Sequence, residues 1–391
     1  PRPHLHWVGD IGHMIPLAVP NLAGNEAKYL QECVDTNFVS TVGPFVSRFE
    51  EMVVSASGAG HAVATSSGTT GLHAALVALG VGRDDLVIIP SFTFIATANA
   101  VSHAGAIPWL LDVTADSWTL DGAQLADVLD ANTERDASGN VVHRSTGKRV
   151  AAIIAVYTFG APADMDVLSG VANRFSLPLI ADAAAALGSR YKGRQVAALG
   201  ADLTVFSFNG NKTITAGGGG VVAGNDESLV ARVRHLTTTA RVGANYDHDV
   251  VGFNYRMTNL QAAVGCAQME MLDAFVETKR RIRRTYDREF ASFSTPFPEP
   301  SWGESACWFS GFVVDTVTAT RVRAELQAIG VDAKPTWKPM HLQVPYAHAP
   351  RESVAISDSI WGRIVTLPCS TGITDNELDA VVRAVKSVMH Q

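Results

Sequence analysis

One lysine stands where an amine could be made to react. The segment Asp202-Leu-Thr-Val-Phe-Ser-Phe-Asn-Gly-Asn-Lys-Thr-Ile-Thr-Ala-Gly-Gly-Gly-Gly220 holds an apolar strand, a polar turn, Lys212 and a glycine run in 19 residues. A lysine that condenses with a carbonyl has to be kept partly desolvated, as an amine, and glycines let backbone approach a flat ring closely. Taken alone, the motif fits equally a surface lysine in a flexible loop. A dinucleotide turn is excluded, because GxGxxG must lie directly between strand and helix with an acid about 20 residues on. Here the run follows a lysine and leads into Val221-Val-Ala.

Three further elements could serve the same chemistry. Asp182 closes the apolar run that starts at Leu179. A carboxylate there is expensive to bury unpaired, and a protonated pyridine nitrogen would offset that penalty, as pyridoxal phosphate requires of its protein; a helix cap is the alternative. Ser66-Ser-Gly-Thr-Thr70 reads as a turn from strand to helix, whose free amides and hydroxyls suit a phosphate. Phe94, in Pro-Ser-Phe-Thr-Phe, could cover a ring or pack in the core.

These residues have to be positioned by alternating elements. Apolar runs predict strands at His61–Thr65, Leu86–Pro90, Ile107–Leu111, Val150–Val156, Leu177–Asp182 and Leu203–Ser207. Helical spacing predicts helices at Glu26–Asp35, Val46–Ser55, Gly71–Leu79, Asp121–Leu129 and Asp166–Phe175, with another running to about Ser102. The rhythm implies an α/β fold, a mostly parallel sheet covered by helices with chemistry at strand ends. The polar insert Asn132–Arg149 reads as an exposed hairpin. A long helix is expected from Leu260 to about Phe290, its basic run Lys279, Arg280, Arg281, Arg283 and Arg284 forming a solvated face. A strand at Gly311–Val314, a helix at Ala319–Ile329 and a final helix from Asp375 make a smaller α+β domain. The expected division is a tail at 1–14, a large domain at 15–259, and a linking helix with the small domain at 260–391. The tail, with His4, His6 and His13, reads as an expression remnant rather than a metal site.

Composition narrows the function. A net charge of −7 argues against nucleic acid, which needs a basic face. No apolar run reaches the roughly 18 residues of a membrane span. Cys33, Cys266, Cys307 and Cys369 are too scattered for a metal site or a disulfide framework, so a reducing, cytoplasmic setting is expected.

The order of the elements is more specific than any one of them. The sequence resembles fold-type I pyridoxal-phosphate enzymes, and more narrowly the DegT/StrS sugar-nucleotide aminotransferases. The resemblance rests on Ser-Gly-Thr at 67–69, Pro-Ser-Phe-Thr-Phe at 90–94, Leu-Gly-Ser-Arg-Tyr-Lys-Gly-Arg at 187–194, Phe-Ser-Phe-Asn-Gly-Asn-Lys at 206–212 and Gly-Phe-Asn-Tyr-Arg-Met-Thr-Asn at 252–259. It implies a large cofactor-binding domain with a smaller C-terminal one, and pyridoxal 5'-phosphate bound through Lys212. It also implies Asp182 on the pyridine nitrogen, Ser207 with Gly68, Thr69 and Thr70 on the phosphate, and Phe94 on the ring. Asn254 would reach the partner's phosphate in a homodimer, and Trp337, Lys338 and His341 are candidate substrate contacts. Glutamate would be the donor, and the acceptor a nucleotide-linked 4-keto-6-deoxy sugar of the UDP-N-acetylhexosamine or GDP-perosamine type. One departure stands out: Ala185 occupies a position where relatives usually carry Gln, Glu or His. Sugar dehydration on the same fold generally replaces the lysine, which this chain keeps, and a non-catalytic regulator has only Ala185 in its favour.

Overall fold

The computed structural model describes residues 14–197 and 199–390; the tail 1–13, with its three histidines, lies outside them. Seven strands form the main sheet: β1 (His61–Thr65), β2 (Leu86–Pro90), β3 (Ile107–Leu111), β4 (Val150–Val156), β5 (Leu179–Asp182), β6 (Leu203–Ser207) and β7 (Gly220–Gly224). Their order across the sheet is β1-β7-β6-β5-β4-β2-β3. β7 runs antiparallel to both neighbours and the remaining pairs are parallel. Helices cover both faces, so the strands are predominantly apolar rather than alternating.

The twelve α-helices are α1 (Glu26–Asp35), α2 (Pro44–Ser57), α3 (Gly68–Ala78), α4 (Ile95–His103), α5 (Gly122–Asn132), α6 (Met165–Phe175), α7 (Glu227–Thr237), α8 (Asn259–Met269), α9 (Leu272–Phe290), α10 (Thr316–Ala328), α11 (Ala355–Ile360) and α12 (Asp375–Met389) among the described residues. Side chains from α1, α2, α5, α6 and α8 pack on one face of the sheet with Ile153, Ala181 and Phe206. Those of α3, α4 and α7 pack on the other with Ile154, Ile180 and Val205. A separate core joins α9, α10 and α12 to an antiparallel sheet of Thr295–Pro296, Ser310–Val313 and Ile364–Leu367. The insert expected as a hairpin is one, Thr133–Arg135 pairing with Val141–His143.

Two expectations are corrected. The single long helix is two, interrupted at Glu270 and Met271, and α8 joins the first core rather than the smaller one. The basic run is not a uniformly solvated face either: Lys279 and Arg283 are only 2% and 6% exposed. These two are four residues apart, on the stripe of α9 that also carries Phe275, Ile282, Tyr286 and Phe290. Lys279 Nζ donates to the carbonyls of Trp308 and Cys369 at 3.0 and 2.5 Å, and Arg283 pairs with Asp287 at 2.7 Å.

Candidate active site

The turn after β1 is built as a helix start. Ser67 caps α3: its Oγ accepts from the Thr70 amide at 3.1 Å, while the Thr70 hydroxyl accepts from the Ser67 amide at 3.0 Å. The Gly71 amide bonds the Ser67 carbonyl. Gly68 and Thr69 therefore open the helix with amides that have no carbonyl one turn back, at the positive end of the dipole. Ser207, at the end of β6, presses against this turn, since a Cβ on Gly68 would fall 2.9 Å from Ser207 Cβ. The glycine run does its work here as well. A Cβ on Gly220 would sit 2.6 Å from the Gly68 nitrogen and the Ser67 carbonyl carbon, so only glycine lets β7 pass beside the turn. Together they make an anion cradle.

Asp182 ends β5, two strands from β7, and is 6% exposed. Its carboxylate accepts from Thr97 Oγ1 at 2.8 Å and from the Ala184 amide at 3.2 Å, and Thr97 is itself bonded to Thr93 at 2.9 Å. Burial pushes the carboxyl's pKa up; Thr97, the Ala184 amide and the charge of Lys212 pull it back. Both hydrogen bonds come from neutral groups, so the carboxylate lacks a closely bonded cation.

Lys212 follows β6 and is half-buried as a residue, with its ammonium enclosed over the Trp308 ring at 3.5 Å from the centroid. Burial lowers its pKa to about 7, the charge of Asp182 opposing the shift. An amine poised near neutrality can condense with a carbonyl or carry a proton.

These groups line one cavity of about 340 Å3, with Gly68, Thr69, Phe94, Ser207 and Trp337 also in its wall. Four sequence-predicted residues lie elsewhere. Thr70 stands outside the cavity lining, its hydroxyl engaged in the cap. Asn254 and Lys338 are exposed and do not line the cavity. His341 is 7% exposed and strung between Ser91 Oγ at 2.7 Å and Asp358 at 2.8 Å. It braces the segment before Phe94 and is not among the residues lining the cavity. Sequence reasoning missed Thr97, Trp308 and Phe309. Ala185 is in the wall, beside the aromatic cluster of Phe92, Phe159, Trp308 and Trp337.

An anion cradle, a buried carboxylate without a closely bonded cation and an amine near neutrality fit one flat molecule bearing a phosphate, a basic ring nitrogen and a carbonyl. The model for the DegT/DnrJ/EryC1/StrS aminotransferase family matches residues 20–386. The chain belongs to that family. The enzyme is 37% identical over 382 residues to GDP-perosamine synthase of Caulobacter vibrioides, covering 96% of this chain and 98% of the relative. It is 33% identical over 380 residues to GDP-perosamine synthase of Vibrio cholerae, covering 96% and 99%. Among solved structures, a DegT DnrJ EryC1 StrS aminotransferase from Brucella abortus superposes with a TM-score of 0.86 at 26% identity over 94% of this chain and 96% of that one. DesI, determined in the presence of its TDP-sugar product, gives 0.84 at 27% over 97% and 93%. The aminotransferase is pyridoxal-phosphate-dependent, and the cavity's donor set suits that cofactor.

Proposed function

We propose that the enzyme moves an amino group from glutamate to the keto carbon of a nucleotide-linked 4-keto-6-deoxy sugar, with Lys212 as the lysine that carries the cofactor. The observation behind this reading is the convergence of Lys212, Asp182 and the start of α3 on one cavity. When bound, pyridoxal phosphate supplies the electron sink for the carbon that gains or loses a proton. Asp182 would hold the ring nitrogen in its charged form. The amides of Gly68 and Thr69, with the Ser207 hydroxyl, would take the phosphate. Phe94 would cover the ring, and Lys212, once free as an amine, would move the proton at the reacting carbon. Trp308, Phe309 and Trp337, in the cavity wall, would keep water from that carbon.

The acceptor is argued from the relatives: two are named for making GDP-perosamine, and DesI was determined with a TDP-sugar product. Trp337, in the cavity wall, and the neighbouring Lys338 are the proposed sugar-nucleotide contacts. The proposal includes a homodimer. Asn254 is exposed close in sequence to the apolar Val250 and Val251, 51% and 85% exposed, a surface suited to a second copy whose phosphate site Asn254 would complete. Retention of Lys212 argues against dehydration.

The test is visible absorption of purified protein with added cofactor, followed by glutamate and then a 4-keto-6-deoxy sugar nucleotide. A band that glutamate bleaches and the sugar restores, absent in Lys212→Ala, is expected. A band persisting in Lys212→Ala would refute the lysine assignment, and bleaching that no keto sugar reverses would refute the acceptor.

A further inference from the structure

Trp308 is held more firmly than a cavity wall requires. It is 4% exposed. Its amide donates to the Phe159 carbonyl at 3.0 Å, and its own carbonyl accepts from the buried Lys279 ammonium at 3.0 Å. The indole stacks on Phe309 with centroids 4.0 Å apart. Its Nε1–H donates to the carbonyl of Asn211 at 2.7 Å, the residue directly before the lysine. On the ring face lies the Lys212 ammonium, 3.5 Å from the centroid. One side chain thus grips the lysine's loop by hydrogen bond and the lysine's head by its π face.

We propose that Trp308 is a positioning residue for Lys212: its indole face is the resting place of the ammonium, fixing where the amine waits and favouring its charged form. The residue deepens the proposed function, which depends on that lysine, by giving it a defined location when it is not bonded to the cofactor. An ammonium in a dry site draws its attraction from the ring quadrupole, which is strongest for indole. The other charged group acting on the amine is Asp182, on β5; the phenol of Tyr157, next to β4, also contributes to the cavity wall. Burial drives the proton off Lys212, whereas Trp308 and Asp182 retain it.

The experiment uses the cofactor-free full chain. Replacing Trp308 by an aliphatic residue would admit water as well as remove the π face, so the primary series is global substitution of tryptophan by mono-, di- and trifluorotryptophan. Fluorine withdraws electron density from the ring face with little change of volume. Among the described residues Trp308 is the one tryptophan with a cation over its face. The pH dependence of acylation of Lys212, read by mass spectrometry of its peptide with the exposed Lys338 as internal standard, gives the amine's midpoint. The midpoint should fall stepwise along the series, by roughly 0.4–1.5 pH units for full loss of the attraction. Trp308→Phe, which keeps a weaker face and loses the bond to Asn211, should fall within that range. A Lys212 midpoint that is flat or rises along the fluorine series overturns the proposal. Because no cofactor is present, that failure is distinct from failure of the catalytic reading, which the visible band decides.

Discussion

Asp182→Asn separates what the carboxylate does for the cofactor from what it does for the fold. In the cofactor-free chain the replacement can be accommodated. The amide oxygen can accept from Ala184, while the amide nitrogen donates to Thr97 Oγ1, whose proton can turn to Thr93 at 2.9 Å. Both threonine hydroxyls keep their partners, the second amide hydrogen can meet solvent in the cavity that residue 182 lines, and a charge disfavoured by burial is gone. Because burial raises the folded carboxyl's pKa above its unfolded value, the folded wild type binds its proton more tightly than the unfolded chain. Its stability therefore falls as pH climbs through the raised value, and Asp182→Asn should not show that fall. The cofactor complex should behave oppositely. A hydrogen bond to a charged group is worth about 1.5–3 kcal/mol, so cofactor affinity should drop roughly 10- to 150-fold. Thermal unfolding with and without pyridoxal phosphate, together with a direct binding titration, checks both halves. Unchanged affinity, or a cofactor-free variant destabilised by more than about 1.5 kcal/mol, would show that Asp182 is a structural cap and refute the reasoning.

Gly220→Ala should be destabilising by about 1–3 kcal/mol and should weaken cofactor retention, because its Cβ meets the backbone of Ser67 and Gly68 at 2.6 Å. Gly210→Ala, with nothing within 4 Å, should be silent in the same melts and titrations. The rate at which Lys212 condenses with added pyridoxal phosphate should be half-maximal near pH 7, in line with its pKa of about 7. It should shift lower in Asp182→Asn, since the carboxylate's charge helps hold that pKa up; stopped-flow absorbance across pH reads both. His341→Gln should lower stability by about 1–3 kcal/mol by releasing Ser91 and Asp358, and cofactor should still bind. A weakened sugar-nucleotide Kd with an unchanged melting temperature would instead make His341 a substrate contact.

Much of this architecture is legible from residue patterns because the sheet is covered on both faces. β2, β3 and β4 are uninterrupted apolar runs, β1 and β6 are mostly apolar, and the limits of all five coincide with the expected ones. β7 was harder to read, because its identity lies in Gly220, whose lack of a side chain matters only against a turn more than 150 residues earlier in the chain. The break between α8 and α9 has no glycine or proline to mark it, and apolar spacing continues from Met269 through Leu272 to Phe275. The buried Lys279 and Arg283 share the apolar stripe by strict helical spacing, a signal that their charge conceals. At the site, Lys212, Asp182 and the Ser67–Thr69 turn stand out because each needs its residue type at a strand end. Trp308 sits in a segment with no period of its own, and its place over Lys212 comes from long-range bonds to Phe159, Lys279 and Asn211. For His341 the sequence leaves substrate contact and packing open, because its partner Ser91 lies 250 residues away and nothing local marks the bond.

The position of β7 has a consequence for how the enzyme is made. β7 is last of the seven strands to leave the ribosome, yet it sits between β1, the first, and β6. Until residues 220–224 slot into that gap, the anion cradle and the lysine loop meet only through side-chain packing, because β1 and β6 are joined in the sheet through β7. A nascent chain that ends before this strand can carry Lys212, Asp182 and the Ser67 turn and still lack the backbone of β7 that lies against that turn. Cofactor capture is thus expected late in synthesis, after closure of the sheet. Supplying pyridoxal phosphate during expression should then raise the yield of folded enzyme by trapping chains that have completed this insertion.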